Sequence, residues 1–366
     1  MDHKKIIQIA IVGQLFSDQR IQKIAKTLQS DGYGVNVLFR NHQKFGKQGL
    51  INQTYPFETK GLSFIFNKGA LFYLVFNLRL FFSFLFKKID ILYAVDSDTL
   101  LAFTLLSIIK KKPLIYDAHE YFAEVPELEN QGFKKQIWHK ITQWGINKSV
   151  LNITVSATLA KELENKYGKP FITVRNVPFL VDNSIATPFE TPTIIYQGAL
   201  NKGRCLELLL ETMKNHPLWN CIIVGEGDLS ETLRKKAASE GIKNVSFAGL
   251  LSPDELKTLT PKCYCAFNLL ASNSLSYYFS LSNKFFDYIH AEIPSISSLL
   301  PEYMALNGTY KTGLCIENNT EALTLALKQL EDKNAYQKLK ENTIIAKQKL
   351  NWQIESELLL KKIGEI

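Results

Sequence analysis

Along the first half of the chain, short apolar runs ending in glycine or a polar residue alternate with longer segments of helical period. The runs IIQIAIVG, GVNVLFR, ILYAVD, PLIYDAH, NITVS and FITVRN read as strands, with helices fitting between them, notably over residues 18–30 and 133–148. Strands joined through helices pair in parallel, because a crossover helix brings the chain back in the same direction. The alternation stops at NVPFLVDNSIATPFETP, which carries three prolines and no clear period. It restarts with TIIYQGAL, NCIIVGEG, NVSFAGL and YCAFNLL, and the chain from residue 321 onward reads as helical. The pattern predicts an α/β protein of two doubly wound parallel-sheet domains, 1–177 and 193–348, a linker over 178–192 and a terminal helix over 349–366.

Open parallel sheets bind ligands outside the carboxyl ends of their strands. The polar groups predicted there are Gly13 after the first strand, His119 after PLIYDA, and Gly198, Lys202 and Arg204 after TIIYQ. Two such sheets joined by a short linker would face each other across a cleft. Element order alone names no reaction.

At 366 residues, 46% hydrophobic and 21% charged, the chain is globular. The net charge of +8 favours acidic or phosphorylated partners, or an anionic membrane surface. Nucleic acid is not expected, since the lysines are scattered and no binding signature is present. Five cysteines, an odd number in apolar contexts, argue for a reducing cytoplasm. Cys263 and Cys265 alternate in CYCAFNLL, which predicts that both pack on one strand face; no second pair stands ready for zinc. The start, MDHKKIIQIAIVG, is too strand-like for a signal peptide.

The most apolar segment, ALFYLVFNLRLFFSFLF at 70–86, is interrupted by Asn77 and Arg79 and is too short and too polar to span a bilayer. Two readings stay open. It is a core helix buried nearly all round, or it docks peripherally on the anionic inner face of the cell membrane, helped by Lys87 and Lys88.

Three motifs carry candidate chemistry. In YQGALNKGRCLELLLETM, Lys202 and Arg204 flank Gly203 where a helix begins. Helix N-termini favour anions, so cations there suit a diphosphate clamp better than two solvated charges. In LSNKFFDYIHAEIPSIS, residues Asn283, Lys284 and Asp287 precede an apolar turn. Either Asp287 accepts hydrogen bonds from ribose hydroxyls, or it complements the helix dipole while Ser282 or Asn283 caps. His119, followed by Glu120, is either a satisfied structural ring or a group of the cleft. Asp96 and Asp98 in VDSD tempt a metal reading, but a helix follows at once. The expectation is that Asp98 caps it, that Asp96 ends the strand, and that no metal binds. GEGD at 225–228 is a weak glycine-turn signal.

In this order the segments resemble family 4 glycosyltransferases of the GT-B architecture, with two Rossmann-like domains, over nearly the whole chain. SDQRIQKIAKTLQSDGYGVNVL is similar to the family's opening D-x-R-v helix and strand, YDAHE to its D-x-H-E segment, and VRNVP to its hinge. YQGALNKGRCLELLLETM, IIVGEGD and VSFAGLLSPDEL resemble the course of its nucleotide domain. LSNKFFDYIHAEIPSIS is similar to its P-x-K-x-x-E-y-m-a-x-G-x-P-v stretch.

The resemblance implies that Asp287 holds the donor ribose and that Lys202 and Arg204 hold the diphosphate. Arg204 would replace an arginine whose place is taken by Ala199. His119 would sit near the donor sugar, Gly13 would let backbone approach the substrate, and Gly198, Gly225, Ser282, Asn283 and Lys284 would complete the donor contacts. One acid of the family's pair is missing, since the position eight before Asp287 is Phe279. The resemblance further implies a retaining, metal-independent hexosyltransferase without a cofactor. It would use a UDP- or GDP-sugar and a surface-glycan or lipid-linked acceptor, and its terminal helix, with Trp352, would cross back onto the first domain. An epimerase or hydrolase on the same fold, or a binding protein that lost activity with the acid at 279, are the alternatives.

Overall fold

The computed structural model describes residues 4–41, 54–65, 69–181 and 186–366; part of the expected linker, 182–185, lies outside them. The chain divides into two units, one of Met1–Asn176 with Glu355–Ile366 and one of Val177–Ile354.

The first unit holds strands β1 (Ile6–Ile11), β2 (Gly34–Asn41), β3 (Glu58–Ser63), β4 (Ile91–Val95), β5 (Leu114–Ala118), β6 (Leu151–Thr154) and β7 (Ile172–Thr173). They form one seven-stranded sheet in the order β3-β2-β1-β4-β5-β6-β7, and every pair is parallel. Its helices are α1 (Gln19–Ser30), α2 (Ala70–Leu85), α3 (Asp96–Lys110), α4 (Gly132–Lys148) and α5 (Ala157–Tyr167). Strands β4 and β5 are buried at every position, as expected for central parallel strands covered on both faces. The pattern did not reveal β3. ETKGLS is polar and exposed except at Leu62, because it forms the sheet edge and buries almost nothing. The expected strand FITVRN shrinks to the two-residue edge strand β7.

The second unit holds β8 (Thr193–Gln197), β9 (Asn220–Val224), β10 (Val245–Gly249), β11 (Cys265–Asn268), β12 (Ser295–Ser298) and β13 (Gly313–Ile316), ordered β10-β9-β8-β11-β12-β13 and again parallel. Its helices are α6 (Leu206–Lys214), α7 (Ser230–Ser239), α8 (Pro253–Leu259), α9 (Leu275–Tyr278), α10 (Asn283–His290), α11 (Pro301–Tyr310), α12 (Thr320–Leu330) and α13 (Lys333–Lys347). The last helix, α14 (Trp352–Gly364), contains the boundary between the units. In the first unit its Glu355 carboxylate accepts from the Arg175 amide at 2.8 Å and from its guanidinium at 3.2 Å. In the second, the Trp352 amide donates to Pro178 O at 2.8 Å.

All five cysteines are free. Cys265 packs with Ile194, Tyr196, Cys221 and Phe267, whereas Cys263 packs in a separate cluster with Ile195, Val224 and Tyr288. The expected shared face is therefore wrong. Cys263 precedes the first residue of β11, so strand alternation does not govern it.

Helix α2 buries Phe72, Phe76, Leu80 and Phe84 on one side. Asn77 lies on that buried side too, and its amide is fully used: Nδ2 donates to Tyr73 O and Asp98 O, and Oδ1 accepts from the Ala102 amide. The polar interruption in the sequence is the tie between α2 and α3. Among the described residues, no helix is long and apolar enough to cross a membrane.

Candidate active site

In the first unit, chemistry gathers at the carboxyl end of β5. Asp117 is fully buried and cannot stay charged there without partners. Arg20, on α1, supplies them: Nη2 donates to Oδ1 at 2.7 Å and Nε to Oδ2 at 3.1 Å. The Tyr93 hydroxyl adds a bond to Oδ2 at 2.8 Å, and His119 Nε2 lies 3.3 Å from the same oxygen. Arg20 Nη1 also donates to Val174 O at 2.5 Å. Burial works against the charged carboxylate, but Arg20 and His119 outweigh it and hold Asp117 below the usual range.

For His119, burial likewise opposes charge. The Asp117 carboxylate reverses this by charge and hydrogen bond, raising the imidazole to about 9. At neutral pH the ring is an imidazolium. Its side chain is 19% exposed, and Nδ1 has no hydrogen-bond partner among the described residues. It can donate one charge-assisted hydrogen bond to an incoming oxygen.

The expectation for Asp96 and Asp98 needs correcting. Helix α3 starts at Asp96, Val95 occupies the N-cap position, and no side chain caps. Asp96 adopts φ 53° and turns its carboxylate back to accept from the His119 amide at 2.8 Å. A non-glycine residue in that region stores strain, which the turn at the site justifies. Asp98 sits inside the first turn, 7% exposed, with Oδ1 unpaired, and its carboxyl is pushed far up by burial and then by Asp96 and Glu120. Among the described residues, no group of three His, Cys, Asp or Glu side chains could hold a metal ion. Gly13 is exposed, and a Cβ there would meet nothing within 4 Å, so packing inside the chain does not demand glycine at this position.

In the second unit, the loops after β8 and β9 are stacked. Gly198 has φ 137° and Gly225 φ 128°, and a Cβ at 225 would stand 1.9 Å from the Gly198 carbonyl oxygen. GEGD is thus more than turn chemistry: Gly225 allows the two loops to touch. The loop after β8 ends in Cys205, φ 53°, at the N-cap position of α6 without a side-chain cap.

Three cations surround this loop. Lys202 is exposed. The Arg204 guanidinium lies 5.6 Å from the Tyr277 ring centroid, and Lys284 Nζ lies 4.1 Å from that of Tyr196. None of the three forms an ion pair with a described residue. Burial, and then Arg204, push the Lys284 amine well below the ordinary lysine range. Neighbouring cations without a carboxylate are unfavourable alone and suit an anion.

Sequence reasoning missed what holds Asp287. Gln197, at the end of β8, donates from Nε2 to Asp287 Oδ2 at 3.2 Å, and its Oε1 accepts from Thr260 Oγ1 at 3.0 Å. The Gln197 amide donates to Tyr288 Oη at 3.2 Å. The only sequence signal was a glutamine at the end of a buried strand. Capping by Ser282 is a second correction. Ser282 occupies the N-cap position of α10, but its hydroxyl donates to Asn268 Oδ1 at 2.9 Å and accepts from Tyr303 Oη at 3.0 Å. Asn283 is exposed. Phe279 stands at the C-cap of α9, edge-on to Tyr278 with centroids 5.0 Å apart.

Residues 18–182 match the family described as Glycosyltransferase Family 4, and residues 182–348 match Glycosyl transferases group 1. No curated protein matches the chain. Among solved structures, HepE from Anabaena, in complex with UDP and glucose, has a TM-score of 0.76 at 13% identity, covering 99% of this chain and 100% of that one. Sucrose-phosphate synthase from Thermosynechococcus elongatus gives 0.76 at 13% identity, covering 99% of each chain. The pneumococcal O-GlcNAc transferase GtfA, in complex with UDP and GlcNAc, gives 0.75 at 10% identity, also over 99% of each. At such identities the likeness carries the fold.

Proposed function

The chain belongs to the GT-B glycosyltransferases of the family 4 type, and from that premise we propose that it transfers a hexose-type sugar, with retention, from a UDP- or GDP-sugar to a surface glycan or lipid-linked acceptor. The observation that carries the donor side is the set of three cations, Lys202, Arg204 and Lys284, that pair with no described carboxylate. A diphosphate is the anion that suits two cations and an amine that it would recharge, beside a glycine loop. UDP is favoured because HepE and GtfA are each in complex with it.

In this reading Asp287, oriented by Gln197, accepts hydrogen bonds from the ribose hydroxyls. Gly198 and Gly225 let backbone approach the phosphates, and Ser282 and Asn283 hold the start of α10 against the donor. As the bond to the sugar breaks, negative charge grows on the diphosphate. Preorganised cations meet it without a metal ion. His119, charged through Asp117, donates to an oxygen of the sugar, and Gly13 leaves backbone open on the same unit.

Phe279 favours a second reading, a protein that binds donor and transfers poorly, because an aromatic ring cannot accept the sugar hydroxyls that the family's acid would.

The test is a panel of UDP-, GDP-, ADP- and TDP-sugars, measuring binding by thermal shift and nucleotide release with and without glycan acceptors. Release that needs acceptor, and that falls in Arg204→Ala with the melting temperature kept, supports transfer. Release without acceptor assigns an epimerase or hydrolase, and binding without release under every acceptor assigns the second reading.

A further inference from the structure

Helix α2 is apolar on both sides. Opposite the core-facing Phe72, Phe76, Leu80 and Phe84, it turns Leu71, Leu74, Leu78 and Phe82 to solvent, with Phe86 just beyond its end. Phe82 is 62% and Phe86 90% exposed. Spaced three or four residues apart, these side chains make one stripe along the helix. Its neighbour α3 carries a second stripe, Leu105, Ile108 and Ile109. The helices run side by side in the same direction: Asn77 bonds to Asp98 O and the Ala102 amide, and ten residues on, Lys110 Nζ donates to Lys87 O at 3.0 Å.

That last bond brings the basic ends together. Lys87 and Lys88 follow Phe86, the C-cap of α2, and Lys110 and Lys111 end α3. Residues 70–89 and 99–112 contain no Asp or Glu. A single exposed leucine is ordinary, but two adjacent apolar stripes closed at one end by lysines are not. A protein partner would be expected to answer to charges of both signs. A flat anionic bilayer asks for apolar side chains at acyl depth and cations at the headgroups.

We propose that the α2–α3 face of the first unit is a peripheral docking surface for an anionic lipid bilayer, with Leu74, Leu78 and Phe82 entering the interface and Lys87, Lys88 and Lys111 meeting the headgroups. The surface does not include the donor or His119 residues, so it stands or falls apart from the transfer reaction.

The experiment is flotation of the full chain with phosphatidylglycerol-containing vesicles and with pure phosphatidylcholine vesicles, at low and high salt, without donor or acceptor. The wild type is expected to float with the anionic vesicles at low salt only. Lys87→Ala/Lys88→Ala should lower partitioning about 30-fold. Leu78→Asp/Phe82→Asp should abolish it while the melting temperature stays within about 4 °C, because both side chains already face solvent. The proposal is overturned if the wild type does not float, or if both variants float as well as it does. A wild-type dimer in lipid-free solution that Leu78→Asp/Phe82→Asp converts to monomer would also overturn it, since a second copy would then own the face.

Discussion

Replacing Asp117 by Asn should destabilise the first unit and discharge His119 together. The carboxylate is fully buried and takes two bonds from Arg20, at 2.7 and 3.1 Å, and one from Tyr93 at 2.8 Å. Asn keeps the shape but removes the charge and one of the two acceptor oxygens, leaving the Arg20 guanidinium, 2% exposed, a buried cation without a counter-charge. Breaking a buried pair on one side costs about 3–5 kcal/mol. For a unit of this size that is about 6–20 °C in melting temperature. His119 should fall from about 9 to or below the ordinary imidazole value, because burial remains and its main opposing charge is gone. The sign comes from linkage. With a folded value above the unfolded one, His119 contributes stability that is complete below about pH 6.5 and lost as pH rises through about 9, worth about 3 kcal/mol. Calorimetry between those pH values should show the wild-type first unit weakening, and the variant should lose that share of the slope. Histidine NMR titration reads the ring directly. A loss under about 1 kcal/mol, with the His119 titration unchanged, would refute the network as described.

The second unit supplies three further tests. Because Lys284 is held well below the ordinary lysine range, a diphosphate that restores its charge should be bound with uptake of a proton wherever the free amine is neutral. Isothermal titration in buffers of different ionisation enthalpy measures this, and absence of uptake in wild type, or its persistence in Lys284→Met, speaks against the site. Asp287→Ala should weaken UDP binding by roughly 2–4 kcal/mol, about 30- to 1000-fold, and Gln197→Ala by about 5- to 10-fold. If Gln197 acts through Asp287, the double variant should bind no worse than Asp287→Ala alone; additive losses would separate them. Gly225→Ala should cost about 3 kcal/mol or more, since a Cβ would meet the Gly198 carbonyl at 1.9 Å, and a fully stable variant would show that the loops part freely.

Much of the architecture was legible along the chain. Buried parallel strands such as ILYAV are short apolar runs, and helices between them force parallel pairing, so both sheets arise from local period. The glycine loops were legible as well, because φ 137° at Gly198 and φ 128° at Gly225 suit that residue. Edge strand β3 escaped because it buries little, and the two-fold apolar alternation that marks a strand is then missing.

The tertiary structure alone decided who pairs with whom. Arg20 and Asp117 lie 97 positions apart and Gln197 and Asp287 lie 90 apart, and no local period links them. Whether a charge is buried depends on such neighbours: Asp98, expected as a helix cap, is a buried acid, and Lys284, expected among the polar groups that open a helix, lies over Tyr196. The same holds for α2. Its sequence says that nearly every side is apolar, but only the position of α3 decides that Phe76 faces the core and Phe82 faces solvent. Local sequence sets backbone conformation through propensity and period, whereas burial and charge are properties of the packed neighbourhood.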